Sequence, residues 1–150
     1  MTRTVAREIA VRLCFGISEN PVDPDMMLEE VFDGEYYAYL AEEDELFSEM
    51  PDDKQMEYIG RIVRGVALHD VELDGYIEKY SKGWKFGRIS RTALAVMKTA
   101  MFEILYMPDV PDGAAINEAV ELAKKYEEPE TIPFINGILG SFVRQEVTQA

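Results

Sequence analysis

Residues 90–107, SRTALAVMKTAMFEILYM, constrain this chain more than any other stretch: they are apolar almost all the way round a helix, with charge only at Arg91, Lys98 and Glu103. A surface helix keeps one polar side, whereas a helix apolar on every side is built to be enclosed by other elements. Ser90 is placed to cap the first turn with its hydroxyl, and Pro108 to close the last, because proline has no amide hydrogen for the ladder. Arg91 and Lys98 stand seven residues apart, about two turns, so the spacing sets both on one edge. The expectation is the central helix of an all-α domain, with a basic edge turned toward a polyanion.

The remaining segments read as helices around it. Val5, Ile9, Leu13 and Ile17 recur every four residues, with Arg3 and Arg7 on one flank of that stripe and Arg12 on the other. Asp23-Pro24 sets a helix start, cap followed by first helical residue. Residues 25–50 keep only a fragmentary period, interrupted at Gly34, and read as one broken or two short helices with an acidic exterior. After Pro51, the series Ile59, Val63, Val66, Leu73, Ile77 and Tyr80 predicts one long helix to about residue 80. A fifth helix is expected over 113–127, and a last one from about Thr131, with Ile135, Ile138, Leu139 and Phe142 inside. Asn136, Gly137 and Gly140 are poor helix formers within that last helix, a local cost that points to a close neighbour or a functional backbone edge. No segment alternates with a period of two, so no sheet is expected.

A length of 150 residues fits one domain, 1–150, able to bury a core without staples. Cys14 is the single cysteine and cannot form an internal disulfide, which suits a reducing compartment. Arg3, Arg7, Glu8 and Arg12 interrupt the N-terminal apolar run, unlike a signal peptide, and Lys98 and Glu103 interrupt the central one. A cytoplasmic protein with no membrane span is expected. The net charge of −14 argues at first against nucleic acid, but the charge is uneven. Residues 26–57 carry twelve acids against Lys54 alone, while 79–98 carry six bases and no acid. Phosphate meets a local patch rather than the mean charge.

Catalysis is poorly supplied. His69 is the only histidine and sits mid-helix; Cys14 lies on an inner face, where a buried inert thiol is the ordinary outcome. There is no Glu-x-x-His pair, no Cys/His set and no glycine-rich phosphate loop, and the acidic run 42–45 lacks the alternation and glycine of a calcium loop. Neither enzyme activity, nor a metal, nor a cofactor is expected. Binding is better supplied, because the bases of 79–98 interleave with Tyr80, Trp84 and Phe86. Cations for phosphate and rings for bases are what a single-strand nucleic-acid site uses. The competing reading is that Trp84 and Phe86 pack the inter-helix turn and the lysines only solvate it.

Those same residues resemble a family. Trp84-Lys85-Phe86-Gly87-Arg88-Ile89, then Leu94 to Lys98 and Glu103, then Asp109-Val110-Pro111, INEAVELAKKY at 116–126 and FINGIL at 134–139 are similar, in order and spacing, to the NusB family of transcription antitermination factors. Ala6-Arg7-Glu8-Ile9-Ala10-Val11 fits the opening helix of that family, while 18–52 matches poorly. The resemblance implies a NusB-like helical bundle of two packed three-helix halves, without enzymatic activity. It implies binding of boxA RNA, a short single-stranded element of ribosomal RNA leaders, together with NusE, a small-ribosomal-subunit protein. Other Nus factors and RNA polymerase are then indirect partners, and a homodimer is compatible with it, since some family members self-associate.

Carried over by position, the resemblance marks Arg3, Arg7, Arg88, Arg91, Lys98, Phe134 and Asn136 as RNA-binding residues and Glu130 as a candidate contact for NusE. Phe134 either stacks on a base or staples the first turn of its helix, and Arg88 either anchors near Trp84 or meets a phosphate. Thr4 and Val5 stand where the family usually has arginines, and Leu94 stands where a base is common. Each change removes a phosphate contact and flattens the salt dependence of binding. These departures, with the charge of −14, motivate the alternative of a NusB-like protein-interaction adaptor with little RNA affinity.

Overall fold

The computed structural model describes residues 1–147, which form eight α-helices joined by short turns and, among the described residues, no strand. Backbone contacts divide the chain into two compact units, Met1–Ala67 and a second from Leu68 onward.

The first unit holds α1 (Arg3–Glu19), α2 (Pro24–Val31), α3 (Gly34–Glu43) and α4 (Asp53–Leu68). Each of the first three starts on a side-chain cap that accepts a backbone N–H: Thr2 from Val5, Asp23 from Asp25 and Met26, and Asp33 from Tyr36. Such caps satisfy amide donors that have no carbonyl in the first turn. The stretch 25–50 therefore resolves into two short helices, with Gly34 opening the second rather than breaking one. Ile9, Ile59, Ile62 and Val63 are fully buried. Tyr37 closes this core beneath the acidic segment, with its ring stacked on Phe32 and edge-on to Phe47 and its hydroxyl donating to the Glu49 carbonyl at 2.8 Å. Burial, and then the Glu49 charge, push the Tyr37 phenol up to about 12.

The second unit is built on α5 (Asp70–Tyr80), α6 (Arg91–Tyr106), α7 (Asp112–Tyr126) and α8 (Ile132–Phe142), followed by a π-helical turn, Val143–Val147. The long helix expected up to residue 80 is two helices, α4 and α5, separated at His69 (φ −102°, ψ 19°). The apolar series keeps helical phase across the break, which hides it in the sequence. What favours the restart is acidic: Asp70 and Glu72 occupy the first turn of α5, where the helix dipole prefers negative charge.

Helix α6 is the enclosed element that its composition implies. Ser90 accepts the Ala93 N–H at 3.0 Å, the helix ends at Met107 just before Pro108, and eleven of its side chains are buried. Helices α5, α7 and α8 all pack against it. Met97, Met101, Leu73, Ile77, Leu139 and Phe142 are fully buried in this unit. The burial extends to Lys98 and Glu103, so α6 is enclosed even where it is charged.

Candidate nucleic-acid interface

Lys98 does not share an exposed edge with Arg91. It is 7% exposed, and its ammonium lies 2.7 Å from Asp70 and 2.7 Å from Asp74. Burial alone would pull its pKa down, but hydrogen bonds to Asp70 and Asp74, with the charges of both, outweigh it and hold the ammonium above the ordinary lysine value. The geometry is that of a cation consumed by the fold: α5 supplies two carboxylates, one turn apart, to a lysine in the middle of α6. Arg91, at the start of the same helix, stays exposed.

In the first unit, Arg3 and Arg7 are also engaged. The Arg3 guanidinium lies 4.0 Å from the centre of the Tyr58 ring and donates through Nε to Gln55 at 3.0 Å. Arg7 is buried, 5.7 Å from the same ring centre. Both arginines thus clamp α1 to α4 through cation–π contacts. Arg12, on the other flank, is paired with Asp44 at 2.9 Å.

The segment joining α5 to α6 carries a cluster of uncompensated cations. Among the described residues, Lys82, Lys85 and Arg88 are exposed and have no carboxylate partner. The segment is held by a turn in which the Trp84 N–H donates to the Ser81 carbonyl at 3.1 Å, and by a 3₁₀ turn, Phe86–Arg88. Gly83 takes φ +81°, a left-handed conformation that a side chain would resist. This turn aims Trp84 at the first turn of α8, where its ring lies 5.4 Å from that of Phe134 at an interplanar angle of 43°.

Phe134 remains 43% exposed, so one side of it is spoken for by Trp84 and much of the rest is open. Asn136 and Gly137 beside it are exposed, and a side chain built at Gly137 would meet nothing within 4 Å. Gly137 thus leaves an open backbone edge, whereas a side chain built at Gly140 would come within 3.2 Å of the Arg144 guanidinium. Glu130 is exposed in the 3₁₀ turn Pro129–Thr131 that leads into α8. At the start of α6, Leu94 is half-buried and the Ser90 hydroxyl donates to Glu127, which brings one carboxylate to that end of the site.

The site residues named from the sequence thus divide. Arg88, Arg91, Phe134 and Asn136 are exposed in the second unit, whereas Lys98 is buried there, and Arg3 and Arg7 pack on Tyr58 in the first. Lys82 and Lys85 are exposed with them, and the half-buried Trp84 lies against Phe134. The sequence already carried the means of finding them, since the interleaving of bases with rings at 79–98 named this same segment.

An all-α protein that exposes a ring pair beside unpaired cations has the surface chemistry of a helical single-strand binder. The comparisons place the chain more closely. A model described as "NusB family" matches residues 4–144. The Acetivibrio thermocellus transcription antitermination protein NusB is 39% identical over 150 residues, covering 100% of this chain and 94% of its own. Its counterpart in Alkaliphilus oremlandii is 38% identical over 146 residues, covering 97% of this chain and 96% of its own. The structure of NusB from T. maritima superposes with a TM-score of 0.79 at 26% identity, over 99% of this chain and 95% of that one. This chain belongs to the NusB family, a family of transcription antitermination proteins and not of enzymes. No helix among the described residues is long and apolar enough to cross a membrane.

Proposed function

We propose that this protein supports transcription antitermination by binding boxA-type single-stranded RNA of ribosomal RNA leaders, jointly with NusE, within a Nus-factor assembly on RNA polymerase in the cytoplasm. The observation that carries this reading is the half-exposed Trp84–Phe134 ring pair flanked by the uncompensated Lys82, Lys85 and Arg88. Phe134 stacks on a base, the exposed Asn136 amide offers hydrogen bonds to base edges or phosphate, and Arg88 and Arg91 meet the backbone. In the first unit, Arg3 and Arg7 are proposed separately as RNA contacts on α1, where both also lie against the Tyr58 ring. Lys98 acts by position, fixing α5 against α6. Glu130, beside the ring pair in the chain, faces NusE.

The second reading, a protein-binding adaptor with little affinity for RNA, draws on specific observations: Lys98 is neutralised by two carboxylates, and Leu94 adds no charge beside Arg91. Fluorescence anisotropy with labelled boxA-type RNA and a scrambled RNA, at two salt concentrations, with and without NusE, separates the two. The RNA reading expects weak binding by the protein alone, tighter binding with NusE, preference for boxA and loss of affinity at the higher salt. It further expects Phe134→Ala to weaken binding by about ten- to a hundredfold, the value of one base–ring stack of roughly 1–3 kcal/mol, with little change in melting temperature. Equal and salt-insensitive binding of both RNAs would reject it in favour of the adaptor.

A further inference from the structure

Helix α3 carries a face that its own unit leaves unpartnered. Tyr37 is buried in the core, but Tyr36 and Tyr39 are 38% and 59% exposed, with ring centres 6.3 Å apart and planes at 22°. Residues three apart are neighbours on a helix surface, so the two rings stack on each other along the solvent side. Apart from that stack, neither side chain has a partner among the described residues. The same side carries carboxylates: Glu35 stands four residues before Tyr39, and Glu42 and Glu43 three and four after it. All three are exposed and make no ion pair among the described residues.

The charge around this face has one sign. Residues 13–53 hold fourteen acids and no Lys, Arg or His. The cations that reach this stretch from elsewhere meet other carboxylates: Arg12 pairs with Asp44, Arg64 with Asp25 and the Met1 ammonium with Glu49. A negative face of this kind repels phosphate and anionic lipid. Among the described residues, no group of three or more His, Cys, Asp or Glu side chains is placed to hold a metal ion. What the face attracts is an organic cation, because ring faces are electron-rich and the carboxylates beside them add to the pull. Guanidinium fits it better than ammonium: it lies flat on a ring while its edge meets a carboxylate through two N–H donors.

We infer that the Tyr36–Tyr39 face of α3 docks an arginine-rich segment of a protein partner. Guanidinium groups stack on the two rings, and Glu35, Glu42 and Glu43 meet their charge. The inference stands apart from the RNA reading, which rests on the ring pair and cations of the second unit. It gives the acidic stretch 26–57 a binding role.

The test titrates the whole chain against labelled arginine-glycine, lysine-glycine and glutamate-glycine repeat peptides of equal length, read by fluorescence anisotropy. The arginine peptide is expected to bind more tightly than the lysine peptide, with affinity falling as salt rises, and the glutamate peptide not to bind. Tyr36→Ala combined with Tyr39→Ala should weaken arginine-peptide binding by about five- to thirtyfold, the value of two exposed cation–π contacts, and narrow its advantage over lysine. Glu42→Gln combined with Glu43→Gln should weaken it by about threefold or more at low salt. Glu78→Gln combined with Asp109→Asn removes the same charge from exposed positions of the second unit and should leave binding within about twofold of the wild type. Unchanged melting temperatures exclude a folding effect, and the glutamine pair decides the matter if the alanine pair melts early. The proposal is overturned if the arginine peptide does not bind at low salt, or if both α3 variants bind it like the wild type. It is equally overturned if the Glu78/Asp109 pair loses as much as the Glu42/Glu43 pair, since the acidity of the whole chain then does the binding. A wild type that sediments as a dimer, dissociated by the two tyrosine substitutions, would make the face a contact between copies and reject the basic partner.

Discussion

Replacing Lys98 with methionine is expected to lower folding stability by about 2–3 kcal/mol and to leave the exposed loop and ring pair intact. Breaking a buried ion pair from one side costs roughly 3–5 kcal/mol, because the remaining charge stays desolvated and alone. Here the partners temper that figure: the side chains of Asp70 and Asp74 are 51% and 33% exposed, so water partly receives them when the ammonium is gone. Lys98→Glu should be worse, since a third carboxylate would be driven into the same space. For a chain of this size the methionine variant should melt roughly 5–10 °C lower. The pH dependence has a fixed sign. Because the folded protein holds Lys98 above the ordinary lysine value of 10.5, this stabilisation is whole below that pH and is lost only as pH rises through the folded value. Tyr37, raised from 10.0 to about 12, acts in the same window, favouring the folded state below pH 10 and ceasing to do so by about 12. Urea unfolding of the wild type should therefore show a stability loss from these groups beginning near pH 10, with a smaller loss in Lys98→Met. A methionine variant as stable as the wild type, but defective in RNA binding, would return Lys98 to the role of a phosphate contact.

The second large effect is expected in the loop. Lys85→Glu combined with Arg88→Glu should leave the melting temperature nearly unchanged, because both side chains are exposed and make no ion pair among the described residues. Each single-strand phosphate contact contributes about 0.7 to the slope of log K against log salt. Two lost contacts lower the slope by about 1.4 and the affinity at 0.1 M by about twenty-five-fold. The introduced carboxylates add repulsion, so that figure is a floor. On the adaptor reading the same double variant binds RNA as weakly as the wild type does, and only a protein partner would register it.

The sequence made the fold legible through composition and caps. Residues 90–107 announced a buried helix, and Ser90, Asp23 and Pro24 mark the starts that they were expected to mark. The break at His69 was illegible because Val66 and Leu73 are seven apart and keep one helical face across it. The acidic first turn of α5 favours the restart locally, and the contact of Asp70 and Asp74 with Lys98, 28 and 24 residues away in sequence, adds a tertiary reason for α5 to begin where it does.

The exposure of the basic residues was legible in one place and misread in another. Periodicity says on which side of a helix a lysine emerges, but not whether that side faces water or an acidic neighbour. Lys98 met two aspartates, and Arg3 and Arg7 met the ring of Tyr58, and neither meeting is visible in a helical wheel. The segment between α5 and α6 carries its bases among aromatic residues and with no acid from 79 to 98, so nothing local was available to cancel them. That is why the loop stayed cationic when the expected edge of α6 did not.

On the proposed function, RNA binding resides in the exposed loop and ring pair of the second unit and not in the buried lysine of α6. The most direct measurement is the salt dependence of boxA-type RNA binding, in the presence of NusE, for the wild type and for the Lys85→Glu/Arg88→Glu pair. The expected result is two straight lines of log K against log salt, the variant shallower by about 1.4 and far weaker at low salt. Coincident lines of equal slope would contradict the claim.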